Sequence, residues 1–205
     1  MGIQSEKSRD TSQRIIHAAT ELFLQQGFRD TSLDDVAAAA GVTKPTVYSH
    51  FGSKAGLLQR IAEAHATARA ASVAAALRHT GDPRTDLMTF GEIFSQRVLS
   101  DDARSWHRLS LQESAAHPEI GTTLFAAGPA RVIQALKTYI KGETMAGRLT
   151  CSDPDVAAEQ FLGLLIGVNP IRMMAGQPLP SKAKLRRNCR AAVDTFLAAF
   201  ASPAS

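Results

Sequence analysis

The sequence predicts an all-α protein: a small helical head at the N-terminus with a larger helical body behind it. Three observations predict this. Aromatic residues make up only 6% of the 205 while alanine is abundant, a composition that favours helices over strands. No segment alternates polar and apolar residues for long, as a half-buried strand would. The stretch 32–51, SLDDVAAAAGVTKPTVYSHF, carries two short helical patterns around a glycine, the sequence form of a helix-turn-helix. Hydrophobic residues at 44% suffice for a core and argue against disorder.

Residues 1–9 are polar and read as a flexible arm whose Lys7 and Arg9 can reach phosphates. A first helix follows from Asp10 or Thr11 to Gln26, with Ile15, Ile16, Ala19, Leu22 and Phe23 as its buried stripe. Gly27 ends it, and Phe28 folds back onto the core. Ser32 and Asp35 approximate a capping box for the second helix. Asp34 and Asp35 point in different directions on a helix, so they act as capping groups rather than an acid–base pair. Leu33, Val36, Ala37 and Ala40 fall at i, i+3, i+4 and i+7, one apolar face. Gly41 supplies the left-handed residue between the helices, Thr43 caps the third, and Pro45 sits in its first turn. Val47 and Phe51 then turn inward, and Lys44, Thr46, Ser49 and His50 face outward.

Ser53 caps a fourth helix that runs through Leu57, Leu58 and Ile61 to about His79, where Gly81-Asp82-Pro83 breaks it. The head therefore spans 10–60 and the body 61–205, with the long helix shared. Leu87, Phe90, Phe94 and Val98 line the fifth helix, and Trp106 to Ala115 forms the sixth. A turn at His117-Pro118-Glu119 precedes a helix from Gly128-Pro129 to Gly147. An eighth begins at Asp153-Pro154 and a ninth at Ser181, giving about nine helices. Asn169-Pro170 implies a kink or an early end of the eighth, because an interior proline removes a hydrogen bond at about 3 kcal/mol.

The second helix of such a motif enters the DNA major groove. Lys44 stands where a cation reaches guanine or a phosphate, and Pro45 and the Thr46 methyl can touch thymine methyls. Lys54, at a helix N-terminus, is placed for a phosphate, as are Ser32 and Thr43 from their caps. A net charge of +4 supports DNA binding only modestly, and residues 1–60 hold seven Lys/Arg against six Asp/Glu. No acid, however, lies between Val36 and Ala62.

Thr43-Lys44-Pro45-Thr46-Val47-Tyr48-Ser49-His50-Phe51, followed by Ser53-Lys54 and Leu57-Leu58, resembles the TetR family of transcriptional regulators. Arg108 with Glu113, Pro118-Glu119, Gly128-Pro129-Ala130, Asp153-Pro154 and Phe161 to Leu165 are similar to the AefR-like regulatory domain of some members. The resemblance places Tyr48, Ser49 and His50 against DNA backbone or base edges. It also implies a homodimer built from a four-helix bundle. Phe161, Leu164, Leu165 and Val168 form one stripe for that interface, and Leu185, Cys189, Val193, Phe196 and Phe200 the other. The alternative is that both stripes face their own domain's core, but two such stripes at the end of an otherwise complete domain favour the dimer. The body should enclose an effector pocket, for which Phe94, Arg97, Trp106 and His107 are candidates, as are Glu113, Phe125, Phe161 and Met173. Core packing explains each of these equally well.

The expected function is a ligand-responsive repressor that binds a palindromic operator as a homodimer and is released by a small molecule. The alternative is a constitutive DNA-binding protein. No cofactor, metal or enzymatic role is expected: the six histidines are scattered, and Cys151 and Cys189 lack ligand spacing. Two cysteines and no apolar run near the ~20 residues of a membrane span point to a cytoplasmic protein. The basic run Lys182, Lys184, Arg186, Arg187 and Arg190 reads as a solvated helix face.

Overall fold

Proline and short polar side chains mark where the helices begin. The computed structural model describes residues 2–202, apart from the side chains of residues 2–5 and 7. Within these residues the chain forms α1 (Gly2–Gln26), α2 (Leu33–Ala40), α3 (Lys44–Phe51), α4 (Lys54–Ala74), α5 (Pro83–Val98) and α6 (Asp101–Ser114). There follow α7 (Pro118–Ala127), α8 (Pro129–Met145), α9 (Pro154–Ile166), α10 (Asn169–Met174) and α11 (Lys182–Phe200). Helices α5, α7, α8 and α9 each start on proline, whose missing N–H falls among donors that lack an intrahelical partner anyway. Asp82, Asp153 and Ser181 accept hydrogen bonds from first-turn N–H groups of α5, α9 and α11.

Several boundaries depart from expectation. The arm expected over 1–9 is helical from Gly2 onward, since nothing from Ile3 to Gln26 is a proline or glycine. Arg9 is exposed there, and the reach expected of the Lys7 side chain lies outside the described residues. Helix α4 ends at Ala74, short of His79. Its final turn tightens, with Ala76 N–H on the Val73 carbonyl (3.1 Å) and Leu77 N–H on that of Ala74 (3.0 Å). Residues 118–127 form a full helix where only a turn was expected. The early end expected before Pro170 occurs at Gly167, whose φ of 49° suits glycine, and Pro170 then opens the short α10. These two additions make eleven helices among the described residues instead of about nine.

The chain divides into two units, Met1–Ala66 with Ser105–Phe125, and Thr67–Arg104 with Ala126–Ser205. The first is larger than the expected 10–60 head because the α6–α7 hairpin joins it. Trp106, Leu109 and Ile120 bury with Ile15, Phe23, Val36, Val47 and Leu58 in one core. His65 stacks on Trp106 at 4.5 Å, and Gln59 donates to the Thr123 hydroxyl at 2.7 Å.

The second unit packs α5, α8, α9 and α11 around a file of rings. Phe94, Phe90, Phe161, Phe196 and Phe200 follow one another at centroid separations of 5.7, 6.3, 4.9 and 4.7 Å. Gly91 lets α5 approach that closely, for a Cβ there would stand 2.6 Å from the Cys189 sulfur and 2.8 Å from Leu165 Cδ2. The end of α11 is clasped to residues 148–150. Thr150 N–H donates to the Phe200 carbonyl (2.7 Å), and Ser202 N–H to that of Arg148 (3.2 Å).

Buried polar groups tie this unit together. The Asp86 carboxylate accepts from Thr80 N–H (3.2 Å), the Thr80 hydroxyl (2.8 Å) and the Tyr139 hydroxyl (3.0 Å). Glu143, fully buried, holds Arg148 and lies 2.8 Å from His79 Nδ1. The Arg148 guanidinium, helped by His79, keeps the Glu143 carboxyl below its ordinary range against the opposing effect of burial. Burial pushes the Tyr139 hydroxyl up and the Cys189 thiol up to about 11.

Candidate nucleic-acid interface

The corner between α2 and α3 is built by short-range polar bonds. The Ser32 hydroxyl accepts from Asp35 N–H (3.1 Å), while the Asp35 carboxylate accepts from both Ser32 N–H (2.9 Å) and the Ser32 hydroxyl (2.7 Å). These bonds hold the Asp35 carboxyl below its ordinary value. Leu33, Val36, Ala37 and Ala40 are buried as expected. Gly41 adopts φ 63°, ψ 40°, so its N–H turns back to the Ala37 and Ala38 carbonyls. Thr43 then caps α3, and its hydroxyl lies 2.8 Å from that of Thr46.

Fully buried Val47 fastens α3 to the head core, with Phe51 half-buried beside it. The opposite face is left to solvent. Lys44, Pro45, Tyr48 and Ser49 are exposed, Tyr48 at 48%, and Thr46 and His50 are half-buried. Lys44 Nζ lies 2.7 Å from the Asp34 carboxylate, which raises the lysine's pKa and holds its head over the start of α2. The Ser49 hydroxyl donates back to the Thr46 carbonyl at 2.9 Å. This face can meet a groove edge with one paired cation, two or three hydroxyls and a phenol ring.

Two expected DNA contacts are spent elsewhere. Lys54 Nζ donates to the carbonyls of Phe28 (2.7 Å), Arg29 (3.3 Å) and Thr31 (2.8 Å) and sits 4.5 Å over the Phe28 ring. An ammonium has three donors, and all of them serve the 28–31 turn, leaving none for a phosphate. The Ser32 hydroxyl proton goes to Asp35, so Ser32 has no donor to offer either. The groups that sequence reasoning missed are the partners of Lys44 and Lys54, Asp34 and the turn carbonyls. No local sequence signal announces Lys54's role, because its acceptors lie in the distant 28–31 turn.

The expected pocket residues are divided between the two units. Trp106, His107, Glu113 and Phe125 belong to the first unit, and Phe94, Arg97, Phe161 and Met173 to the second. Trp106, Phe94, Phe161 and Met173 are buried in packing, Glu113 faces Arg29 at 3.8 Å, and Phe125 is 58% exposed. Arg97 and His107 are exposed. A groove of about 540 Å³ in the second unit is lined instead by residues such as His79, Arg131 and Tyr139. The expected dimer stripes are corrected in the same way. Phe161, Leu165, Leu185, Cys189, Val193 and Phe196 are buried in their own unit, and Phe200 is half-buried against Phe196. Only Leu164 and Val168 of that set are exposed, as are Val156, Ile171 and Met174 on α9 and α10.

No group of three potential metal ligands occurs among the described residues, and no helix there is long and apolar enough to cross a membrane.

Comparison with known proteins agrees with this geometry. Residues 15–61 match the family of bacterial regulatory proteins of the tetR type, and 85–202 match the AefR-like transcriptional repressor C-terminal domain. The HTH-type transcriptional activator FasR of Mycolicibacterium smegmatis is 28% identical over 114 residues, 56% of this chain. The chain spans about half of that relative, 52% of its length. A TetR-family regulator structure from Mesorhizobium loti superposes with a TM-score of 0.89 at 25% identity, covering 95% of this chain and 98% of the other. A flavonoid-responsive regulator named FrrA gives 0.79 at 28% identity, covering 95% and 98%.

Proposed function

The chain belongs to the TetR family of transcriptional regulators, and from that premise we propose that it is a ligand-responsive repressor that binds a palindromic operator as a homodimer. A small molecule bound in the second unit releases it. One observation carries the DNA reading: α3 is anchored by Val47 and turns Lys44, Pro45, Thr46, Tyr48, Ser49 and His50 away from the core. Thr43 supports it from the cap. A reading helix of eight residues contacts few base pairs, so selectivity requires a second head about one helical turn away. The exposed apolar face of Val156, Leu164 and Val168 on and after α9 supports self-association.

Regulation follows from differential binding: a ligand that prefers the non-DNA conformation shifts the population away from the operator. Helix α4 runs unbroken from Lys54 in the first unit to Ala74 in the second and is the element through which such a shift would pass. The groove in the second unit favours this over a constitutive protein, which needs no cavity. The relatives it matches are named as transcriptional regulators, which is the class of activity proposed for this chain.

The test is a fluorescence-anisotropy titration on DNA from upstream of the protein's own gene. The expected result is binding of two chains to two half-sites, weakened by Tyr48→Ala without loss of fold. No retention of any upstream fragment at moderate salt would sink the proposal.

A further inference from the structure

The groove in the second unit has a chemistry that narrows its occupant. Ala74 from the end of α4, Ala126 from the end of α7, and Ala130 and Ala135 from α8 give it a floor of small apolar side chains, with Leu77 beside them. At one end stand His79 and Tyr139, stacked with ring centroids 5.1 Å apart and 30° between planes. Both are held from behind: Tyr139 donates its hydroxyl to Asp86, and His79 Nδ1 faces Glu143 at 2.8 Å. That wall is therefore preformed, which lowers the ordering cost of binding. The volume of about 540 Å³ lies within the range of small-molecule sites.

Arg131 lines the same groove. Lys137, further along α8, is paired with Asp155, and Arg148 beyond it with Glu143. Arg131 has no ion pair among the described residues, so its planar fork remains open to a carboxylate. Gln134 and Thr138 lie beside it as neutral polar groups.

From this arrangement we propose that the groove binds a flat aromatic carboxylate, with its ring on the alanine floor beside the His79–Tyr139 stack and its carboxylate on Arg131. This rests on the ligand-response reading above and gives its effector a chemical class. Occupancy would bear on His79, and so on residues 75–82 that join α4 to α5.

The full chain would be titrated with naphthoate, its neutral amide and naphthylamine by calorimetry. Naphthoate should bind at least about tenfold more tightly than the other two, because a charge-assisted bond contributes about 1.5–3 kcal/mol. Arg131→Gln should remove that preference and leave amide binding unchanged. Ala130→Phe, which fills the floor, should weaken both, with thermal melting confirming that each variant folds. Equal binding of the three compounds, or insensitivity of naphthoate to either substitution, overturns the proposal. Groove binding that leaves operator affinity unchanged overturns the ligand-response reading alone. Operator release by another compound, with naphthoate unbound, overturns the groove alone.

Discussion

The α2–α3 corner and the polar centre of the second unit solve the same problem at different range. The corner satisfies its donors within the neighbourhood: Ser32 with Asp35 three residues on, Lys44 with Asp34 ten residues back. The second unit joins Asp86 to Tyr139 across 53 residues and His79 to Glu143 across 64. The exposed Lys44–Asp34 pair can exchange partners when DNA arrives. Long-range bonds around buried carboxylates do not exchange, because a carboxylate left unpaired away from water is costly.

Removing the second unit's centre should therefore have the largest effect. Glu143→Ala should cost about 3 kcal/mol of unfolding free energy in urea, as it strips Arg148 and His79 of their shared partner. The same group predicts an acid dependence. Arg148 lowers the folded-state pKa of Glu143 below its unfolded value, so its contribution is complete above the unfolded pKa. It is lost as pH falls through the folded one, and Glu143→Gln should flatten that acid limb of the stability curve. An unchanged limb would remove the carboxylate from the account.

Lys54 breaks the comparison inside the head, being a surface cation used as internal glue. Lys54→Met should lower stability by about 2 kcal/mol, in line with hydrogen bonds to a charged donor. The salt dependence of DNA binding should stay as it was. A phosphate contact would instead reduce the slope by about one unit. Smallest in stability, and confined to DNA affinity, is the exposed pair of Lys44 and Asp34. Lys44→Ala should weaken operator binding about tenfold, whereas Asp34→Asn should tighten it by freeing the lysine and removing a like charge from the phosphates. If both changes weaken binding equally, the pair acts as one positioning unit.

The same difference in range governs what could be read in advance. The Ser32 box, the Gly41 turn and the inward Val47 were legible because each is a relation between residues three or four apart. The stripes of α9 and α11 were legible as stripes, yet periodicity does not say what covers them. Phe161, Leu165, Cys189, Val193 and Phe196 are consumed by the unit's own core, and the face left over is that of Leu164 and Val168. Asp86 and Glu143 read as single charges in apolar helices because their partners lie on other elements. The Gly91 contact needed α5, α9 and α11 in place before it meant anything. Lys54 misled because its motif suggested a phosphate while the competing carbonyls lay in an irregular turn.

The clasp between residues 148–150 and 200–202 has one more consequence. Helix α11 buries Leu185, Cys189, Val193 and Phe196 and shows Ala191, Ala198 and Ala199 to solvent. Near its N-terminus Arg186 pairs with Glu92 of α5 at 3.0 Å, and its C-terminus is locked to the neighbouring backbone at Thr150 and Ser202. A rod keyed at both ends cannot spin. Displacement along α11 must then travel as a push or a tilt, so a partner seated on this helix would sense a shift in position and never a change of the face presented to it.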